Sequence, residues 1–273
     1  MTLVSVVVPA YNNGRTLDET LRSILDQPGV DLELIVADHA SCDDTREVMA
    51  RFADDERVTL LDTEAGGGAG RNWNRVTHAA NGMYVKLVCG DDLLRPGVLA
   101  RQAALLDGGA VLTASKRDVI DADGKVVMAG WGLTGLTQPM PGAAALRRTV
   151  RAGRNLLGEP ASVMMRRDAL EQTGGWFDRF PYVIDLATYA RVLVTGDFVP
   201  DTEVGATFRM SDTQWSVALV DDQTSQVTGF HAWLNAEHPD VIRPSDRRIG
   251  DLKAGLMARA RRLSYRVLKR RMR

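Results

Sequence analysis

Short apolar runs alternate with amphipathic segments through the first hundred residues, and this alternation constrains the fold more than any other feature. Four runs rich in β-branched residues occupy positions 4–8, 32–37, 58–61 and 83–88. Such runs are typical of strands that are buried on both faces of a sheet. Each run is followed by a turn and then by apolar residues at helical spacing. The pattern predicts an α/β fold with a doubly wound, mainly parallel sheet.

After residue 106 this alternation stops, and local signals carry the prediction. The turn Ala122-Asp123-Gly124 predicts a hairpin between residues 119–121 and 125–128. Two strands and three helices are also expected, at 162–165 and 207–210 for the strands and at 143–157, 168–172 and 185–194 for the helices. The glycine-rich segment 66–70 lacks the Lys and Ser/Thr of a P-loop, so we interpret it as a flexible loop that leads into a helix.

The cysteine content and the hydropathy pattern limit the kind of protein. Cys42 and Cys89 are the only cysteines, which excludes a disulfide framework and a four-cysteine zinc site and fits a reducing compartment. The chain opens without a basic leader, and no apolar stretch approaches the roughly 20 residues that span a bilayer. We therefore expect a cytoplasmic protein, either soluble or bound to the inner face of the membrane without crossing it.

The charges are divided unevenly between the body of the chain and its C-terminal end. Residues 259–273 contain eight basic side chains and no acid, and without them 26 basic residues stand against 35 acidic ones. An acidic body argues against nucleic-acid binding, and a basic end indicates an anionic partner.

Four apolar side chains in this C-terminal region share one side of a predicted helix: Leu252, Leu256, Leu263 and Val267. Together with the basic residues they predict an amphipathic segment, residues 252–273, that lies on an anionic membrane surface. The same apolar stripe would equally suit a helix packed on the body, so both interpretations stay open.

Polar groups follow three of the predicted strands, in the segments Pro9-Ala10-Tyr11-Asn12, Asp38-His39-Ala40-Ser41 and Gly90-Asp91-Asp92. In an open parallel sheet, ligands bind beyond the carboxyl ends of the strands. Tyr11 offers a ring for stacking on a base, and Asp38 offers an acceptor for a base N–H. Adjacent carboxylates suit Mg²⁺ or Mn²⁺ that bridges phosphates. Each segment alone could be a helix cap or a solvated turn, but together they favour a ligand site.

Several segments, in this order, resemble the family 2 glycosyltransferases of the GT-A fold, of bacterial type. The first hundred residues carry the close part of the likeness in residues 4–12, 33–38, 70–72, 82–86 and 91–96. A looser likeness to the acceptor half follows at 158–162, 174–178 and 185–186. The likeness fades beyond Trp215. It implies a nucleotide-sugar-binding half (1–106), an acceptor-binding half of the same globule (107–220) and a helical region with a basic tail (221–273).

The resemblance also implies an activity and a set of site residues. It implies hexosyl transfer with inversion from a nucleotide diphosphate sugar, with UDP as the expected nucleotide, to a glycan, lipid-linked or small-molecule acceptor. Asp91 and Asp92 would hold Mg²⁺ or Mn²⁺, and Asp185 would be the base, with Glu159 as its competitor. The implied substrate-binding residues are Pro9, Ala10, Tyr11, Asn12, Asp38, Ser41, Asn72, Lys86, Asp91, Glu159 and Trp215. Trp215 and Trp176 could also stack on sugar faces.

Three positions depart from the family pattern. His39 stands where a second acid is common, Cys89 stands at the first acid of the metal motif, and Ser211 stands where many members carry a histidine near the metal. These departures favour one alternative, a catalytically degenerate membrane-surface binding module of the same fold. The other alternative is a nucleotidyltransferase, although the turn after the first strand carries only Arg15 as a basic residue.

Overall fold

The computed structural model describes residues 2–210 and 223–271, and describes side chains only up to residue 259 in the last helix. The described strands join into a single sheet. They are β1 (Leu3–Ala10), β2 (Asp31–Asp38), β3 (Val58–Asp62), β4 (Tyr84–Leu87), β5 (Leu93–Leu94), β6 (Leu112–Ile120), β7 (Val126–Trp131), β8 (Met140–Pro141), β9 (Val163–Arg166) and β10 (Asp197–Arg209).

Helices pack on both faces of this sheet and occupy most of the connections between strands. They are α1 (Leu17–Leu25), α2 (Thr45–Ala50), α3 (Gly68–His78), α4 (Val98–Asp107), α5 (Gly142–Ala152), α6 (Arg167–Gln172), α7 (Ile184–Leu193), α8 (Gln223–Glu237) and α9 (Pro244–Arg271). Short 3₁₀ turns occupy Pro160–Ser162 and Pro181–Val183. No helix in the described ranges is long and apolar enough to cross a membrane.

The strand order is β3-β2-β1-β4-β9-β6-β10-β5, with β7 beside β6 and β8 beside β10. The first four strands are parallel, as predicted, and β6 pairs in parallel with β10. Between these two groups β9 runs antiparallel to both β4 and β6. The predicted α/β fold with a mainly parallel sheet is therefore confirmed. Because β9 is reversed, its first residue lies at the same edge as the carboxyl ends of β4 and β6.

The core lies on both faces of the sheet, which explains the continuous apolar runs in the sequence. Along β1, Val6 and Val8 face one buried cluster and Val7 faces the other, and all three are fully buried. The α1 side chains Leu21 and Ile24 complete the first cluster. Burial of both strand faces removes the polar alternation that marks a half-exposed strand.

Several predicted elements differ from the structure. The helix expected over residues 143–157 ends at Ala152, because Gly153 adopts a left-handed conformation with φ of 67° that terminates it. The segment 66–70 is only partly a loop, since α3 begins at Gly68. Two strands are much longer than predicted: β6 starts at Leu112 rather than 119, and β10 starts at Asp197 rather than 207.

The last helix, α9, packs against α5 and against α8 near the end of the chain. Asp246 at the start of α9 forms ion pairs with Arg151 and Arg147 of α5. Gly250 lies so close to the Val150 carbonyl that a Cβ would come within 2.2 Å of its oxygen. Ala254 is buried on the same face of α9. The first three turns of α9 are therefore docked on the body.

Candidate active site

The loops after β1 and β2 form one continuous polar surface at the carboxyl edge of the sheet. The Asn12 amide donates to Ser41 Oγ over 2.9 Å, and the Cys42 amide donates to Asn12 Oδ1 over the same distance. The His39 amide donates to the Ala10 carbonyl, which closes the gap between the two strands. Tyr11 projects from this surface with 59% of its area exposed. The structure thus brings together the predicted segments 9–12 and 38–41, although Pro9 and Ala10 are themselves buried in the strand.

Asp38 lies below this surface rather than on it. Its carboxylate is fully buried, accepts the Ser41 amide and accepts Arg46 Nε over 2.7 Å. The Arg46 side chain is 58% exposed. A nucleotide base could reach Asp38 only by displacing that arginine. The exposed side chain of Arg46 would have to move for Asp38 to accept a base N–H, as the sequence predicts.

Two other predicted binding residues lie inside the protein. Asn72 donates from Nδ2 to the carbonyls of Ala10 and Ala37, so it ties the ends of β1 and β2 together from below. Lys86 is fully buried, and its ammonium group donates to Gln102 Oε1 over 2.8 Å and to the Val163 carbonyl. Burial lowers the pKa of Lys86 to about 7. Asn72 therefore positions the loops without being exposed, and the contacts of Lys86 do not support substrate binding.

The loop after β4 packs closely on the loop after β1. A Cβ at Gly90 would come within 2.6 Å of Asn13 Oδ1, so only glycine allows this approach. Thr16 Oγ1 donates to the Gly90 carbonyl over 2.8 Å. These contacts place Asp91 and Asp92 beside the loop after β1, at the edge of the sheet that the sequence predicts.

Asp92 is almost completely buried, and one of its oxygens lacks a hydrogen-bond partner. Oδ1 accepts the Arg209 amide over 3.1 Å, while Oδ2 has no partner among the described residues. Burial, followed by the neighbouring Asp91 carboxylate, raises the pKa of Asp92 well above its ordinary range. Such a buried oxygen is satisfied either by a proton or by a cation.

Arg209, at the end of β10, connects the loop after β4, helix α1 and the β6–β7 turn around this acidic pair. Its Nε donates to the Asp91 carbonyl over 3.1 Å, and its Nη2 donates to Glu19 of α1 over 2.8 Å. Nη1 reaches the Ala122 carbonyl in the β6–β7 turn. Arg209 was not predicted from the sequence, because its contacts are with residues far away in the chain and leave no local signal.

Asp185 occupies the first turn of α7, where the sequence predicts the base. Its Oδ2 accepts Asn155 Nδ2 over 3.0 Å, so an amide side chain orients the carboxylate. Burial, together with the nearby Glu159 carboxylate, raises the pKa of Asp185 to about 7, although its hydrogen bonds to the Leu186 amide and Asn155 oppose the rise. A carboxyl group with a pKa near neutrality can accept a proton efficiently at physiological pH. Asn155 was not predicted from the sequence.

Glu159 lies just before the 3₁₀ turn that leads into β9, and it forms an ion pair with Arg117 of β6. Arg117 is 3% exposed and Glu159 is 28% exposed, and Nη2 of the arginine donates to Oε1 over 3.0 Å. The Arg117 guanidinium also lies 4.9 Å from the centre of the Trp131 ring. The sequence pointed to neither Arg117 nor Trp131.

Four acidic side chains lie within electrostatic reach of Cys89, and we call this cluster the pocket. Burial raises the pKa of the Cys89 thiol well above the ordinary range, and the carboxylates of four residues raise it further: Asp92, Asp91, Asp185 and Glu159. Arg117 and Arg209 are the basic side chains whose contacts place them in this pocket. The pocket therefore has an excess of carboxylates, which favours a cationic partner.

The residues present fit a divalent cation only with help from a substrate. Among the residues that the structure describes, no three His, Cys, Asp or Glu side chains form a group that could hold a metal ion. Mg²⁺ commonly uses one or two carboxylates together with substrate phosphates, and Asp91 with the unpartnered oxygen of Asp92 fits that pattern. Ser211 and Trp215 lie outside the described residues. Trp176 is a core residue, since it is 3% exposed and packs on Trp73.

Comparison with known protein sequences gives a consistent result. A model of the family described as Glycosyl transferase family 2 matches residues 5–174. The uncharacterized protein MT1568 of Mycobacterium tuberculosis is 31% identical over 210 residues, which cover 72% of this chain and 65% of that protein. In Escherichia coli, the UDP-Glc:alpha-D-GlcNAc-diphosphoundecaprenol beta-1,3-glucosyltransferase WfgD is 32% identical over 104 residues, covering 38% of this chain and 41% of the enzyme.

Solved structures share the fold at low sequence identity. Staphylococcus aureus TarS 1–349 in complex with UDP-GlcNAc has a TM-score of 0.68 at 17% identity, covering 87% of this chain and 66% of that one. The mannosyltransferase PcManGT from Pyrobaculum calidifontis, in complex with GDP-Man and Mn²⁺, has a TM-score of 0.61 at 18% identity. The match covers 97% of this chain and 79% of that one. The chain spans between 33% and 65% of the length of the first curated relatives. Because the family model matches more than half of the chain, this protein belongs to glycosyl transferase family 2.

Proposed function

We propose that this chain is an inverting, metal-dependent glycosyltransferase. It moves a hexosyl group from a UDP-sugar to an acceptor hydroxyl in the synthesis of a cell-surface polysaccharide, glycolipid or other glycoconjugate. The observation that carries the proposal is the convergence of Asp185, with a pKa of about 7, and the adjacent carboxylates Asp91 and Asp92 on one pocket. A transfer reaction needs both groups, one for the acceptor proton and one for the departing diphosphate.

The donor nucleotide binds along the joined loops after β1 and β2. Tyr11 presents an exposed ring for the base, and Asn12 and Ser41 form the adjoining polar surface. Asp38 accepts a base N–H once Arg46 has moved aside. The UDP-GlcNAc complex of TarS and the UDP-Glc named for WfgD support UDP as the nucleotide.

Asp91 and Asp92 would hold Mg²⁺ or Mn²⁺ when the donor is bound. The cation supplies charge neutralisation on the departing diphosphate. Arg209 keeps this acidic turn in place through its contacts with the Asp91 carbonyl and with Glu19. The Mn²⁺ complex of PcManGT, which shares the fold, supports this assignment.

Asp185 takes the proton from the acceptor hydroxyl while Asn155 holds its carboxylate in place. Attack by that hydroxyl on the face opposite the leaving diphosphate inverts the anomeric centre. Glu159 is the competing base, but both of its oxygens face the Arg117 guanidinium. An ion-paired carboxylate is a weaker acceptor for a hydroxyl proton, so the geometry favours Asp185.

The test compares Asp185→Asn with Glu159→Gln. We expect Asp185→Asn to keep its affinity for UDP-glucose or UDP-GlcNAc, measured as a rise in melting temperature with added Mn²⁺, and to lose sugar transfer. Glu159→Gln is expected to retain transfer. If Glu159→Gln loses transfer and Asp185→Asn keeps it, the base assignment is wrong. Release of pyrophosphate would identify a nucleotidyltransferase, and a lack of turnover with any nucleotide sugar would support a binding module.

We also propose that the C-terminal helix α9 binds an anionic membrane surface. Leu252 is 66% exposed and Leu256 is 53% exposed, so this side of α9 faces away from the body while Gly250 and Ala254 pack against it. The eight basic residues of 259–273 follow directly in the sequence. Each cation near an anionic bilayer contributes about 1 kcal/mol, which is enough to hold an otherwise acidic protein there.

Co-sedimentation with vesicles tests this second proposal. We expect Leu252→Ser/Leu256→Ser to weaken binding to anionic vesicles, and truncation after Ala258 to abolish it at low salt. This truncation point keeps Asp251 and Ala254, which contact the body. Met83→Ser is the matched control, because Met83 is 52% exposed and lies on another part of the surface. Equal recovery of all variants in the supernatant would rule the membrane role out.

A further inference from the structure

The strand β7 carries an unusual set of exposed apolar side chains. Of the nine large exposed hydrophobic residues in the described ranges, four lie on β7 and form what we call the apolar ribbon: Val126, Val127, Met128 and Trp131. A contiguous apolar patch that is exposed on a protein domain often marks a surface that binds a ligand or a partner.

We propose that this apolar ribbon binds the hydrocarbon chain of a lipid-linked acceptor, with the acceptor's diphosphate beside Arg154. The inference deepens the proposed glycosyl transfer and rests on it. It assigns a substrate class and a site to strand β7.

The pairing of β6 places the ribbon next to the catalytic pocket. Strand β10 pairs along β6 from Leu112 to Ile120 and so occupies one edge of that strand. Both β9 and β7 must share the opposite edge, with β9 beside residues 112–114 and β7 beside residues 117–120. Glu159, just before β9, therefore lies where β7 ends. The ribbon borders the pocket that contains the proposed base.

The chemistry along this border changes in the order that a lipid-linked sugar requires. Asp185 and its partner Asn155 lie at the inner end. Arg154, next in the chain to Asn155, places its guanidinium 5.7 Å from the Trp131 ring centre. From Trp131 back to Val126 the strand spans about 17 Å, and Met128, Val127 and Val126 lie along this length. A base, a cation and an apolar track thus match a sugar hydroxyl, a diphosphate and a hydrocarbon chain.

The exposure pattern fits a flexible chain better than a packed protein partner. Successive residues of a strand point to opposite faces, yet Val127 is 56% exposed and its neighbours Val126 and Met128 are 49% and 42% exposed. Both faces of the ribbon are therefore accessible at once. A flexible hydrocarbon chain can lie along both faces of a single strand, and Arg154 provides the charge that complements a diphosphate.

The experiment uses farnesyl diphosphate as a soluble probe, with the full-length protein saturated with UDP and Mg²⁺ so that the donor site is filled. Binding is measured by calorimetry for the wild type, Val127→Ser/Met128→Ser, Arg154→Gln and the control Met83→Ser. We expect the double variant to bind farnesyl diphosphate roughly tenfold more weakly and to bind inorganic diphosphate like the wild type. Arg154→Gln should weaken binding of both probes, and Met83→Ser should weaken neither.

Two results would overturn the proposal. One is equal affinity of the double variant and the wild type for farnesyl diphosphate. The other is a wild type that binds farnesyl diphosphate no more tightly than inorganic diphosphate. If the double variant instead loses binding to neutral vesicles or loses self-association, with farnesyl diphosphate binding unchanged, the ribbon contacts a bilayer or a second copy. Failure of the wild type to bind or hydrolyse UDP-sugars would count against the proposed function, whereas the farnesyl diphosphate titration judges the ribbon separately.

Discussion

Replacement of Asp185 by Asn is expected to stabilise the protein at alkaline pH and to leave its stability almost unchanged at acid pH. The carboxyl group has an ordinary pKa of 3.8 and a pKa of about 7 in the fold. Between these two values the folded chain holds a proton that the unfolded chain has released. The free energy of unfolding of the wild type therefore falls as pH rises through this window. An amide cannot ionise, so the free energy of unfolding of the variant does not fall in this way.

The magnitude follows from the size of the pKa change. A rise from 3.8 to about 7 corresponds to at most roughly 4 kcal/mol, reached only above the folded pKa. At about pH 5 the folded wild type carries a neutral carboxyl group, which resembles the amide in shape and charge. The stability difference between Asp185→Asn and the wild type should thus grow by a few kcal/mol between about pH 5 and pH 8.

Urea unfolding of metal-free protein at both pH values measures this difference. Chelator is needed because a bound cation would favour the carboxylate. Asp168→Asn is the matched control, since Arg166 holds the pKa of Asp168 below its ordinary value and its titration ends below about pH 5. The control should therefore show the same offset at both pH values. If the stability difference between Asp185→Asn and the wild type does not change with pH, the pKa of Asp185 is not raised. The assignment of this residue as the base would then fail.

Three further variants test the donor side. Asp92→Asn should abolish the Mn²⁺-dependent gain in UDP affinity measured by calorimetry without lowering the melting temperature, because the amide preserves the shape but not the charge; an unchanged Mn²⁺ effect would remove Asp92 from the metal site. Asp38→Ala should raise the Kd for UDP far more than it lowers kcat, since its contact is remote from the reacting carbon, and a pure kcat effect would contradict this. Gly90→Ala should weaken UDP binding about tenfold or more, because its Cβ would meet Asn13 Oδ1 at 2.6 Å; a wild-type Kd would show that the two loops need not touch.

The sequence predicts the nucleotide side well because its signals are local. Each apolar run ends in a polar turn within four residues, so the strand and its ligand groups can be recognised together. The loops around Asn12, Ser41 and Asp91 lie where that pattern places them. Lys86 shows the limit of this reasoning. It follows a family motif, yet its side chain points into the core and bonds to Gln102, and nothing in its immediate neighbours reveals that direction.

The acceptor side is poorly predicted because its strands contain buried polar residues. In β6, Thr113 and Ser115 are fully buried and Arg117 is nearly so, which breaks the apolar run that marks a central strand. Pairing across the sheet compensates two of these groups: Ser115 donates to the Ser162 carbonyl, and Arg117 pairs with Glu159. Contacts between residues more than 40 positions apart produce no periodic pattern in the sequence. For this reason only the last two residues of β6 were predicted to be in a strand.

The reversed strand β9 explains how one sheet edge comes to hold the whole site. Parallel strands deliver only their carboxyl ends to the ligand edge, which here means Asp38 after β2 and Asp91 after β4. Because β9 runs the other way, the segment before it reaches that same edge and brings Glu159 with it. The loop that precedes this segment carries Asn155, which holds Asp185 of α7. A parallel strand at this position would have sent the same loop to the opposite edge, about 13 Å away for a four-residue strand. The antiparallel insertion therefore brings the proposed base to the same edge of the sheet as Asp91 and Asp92.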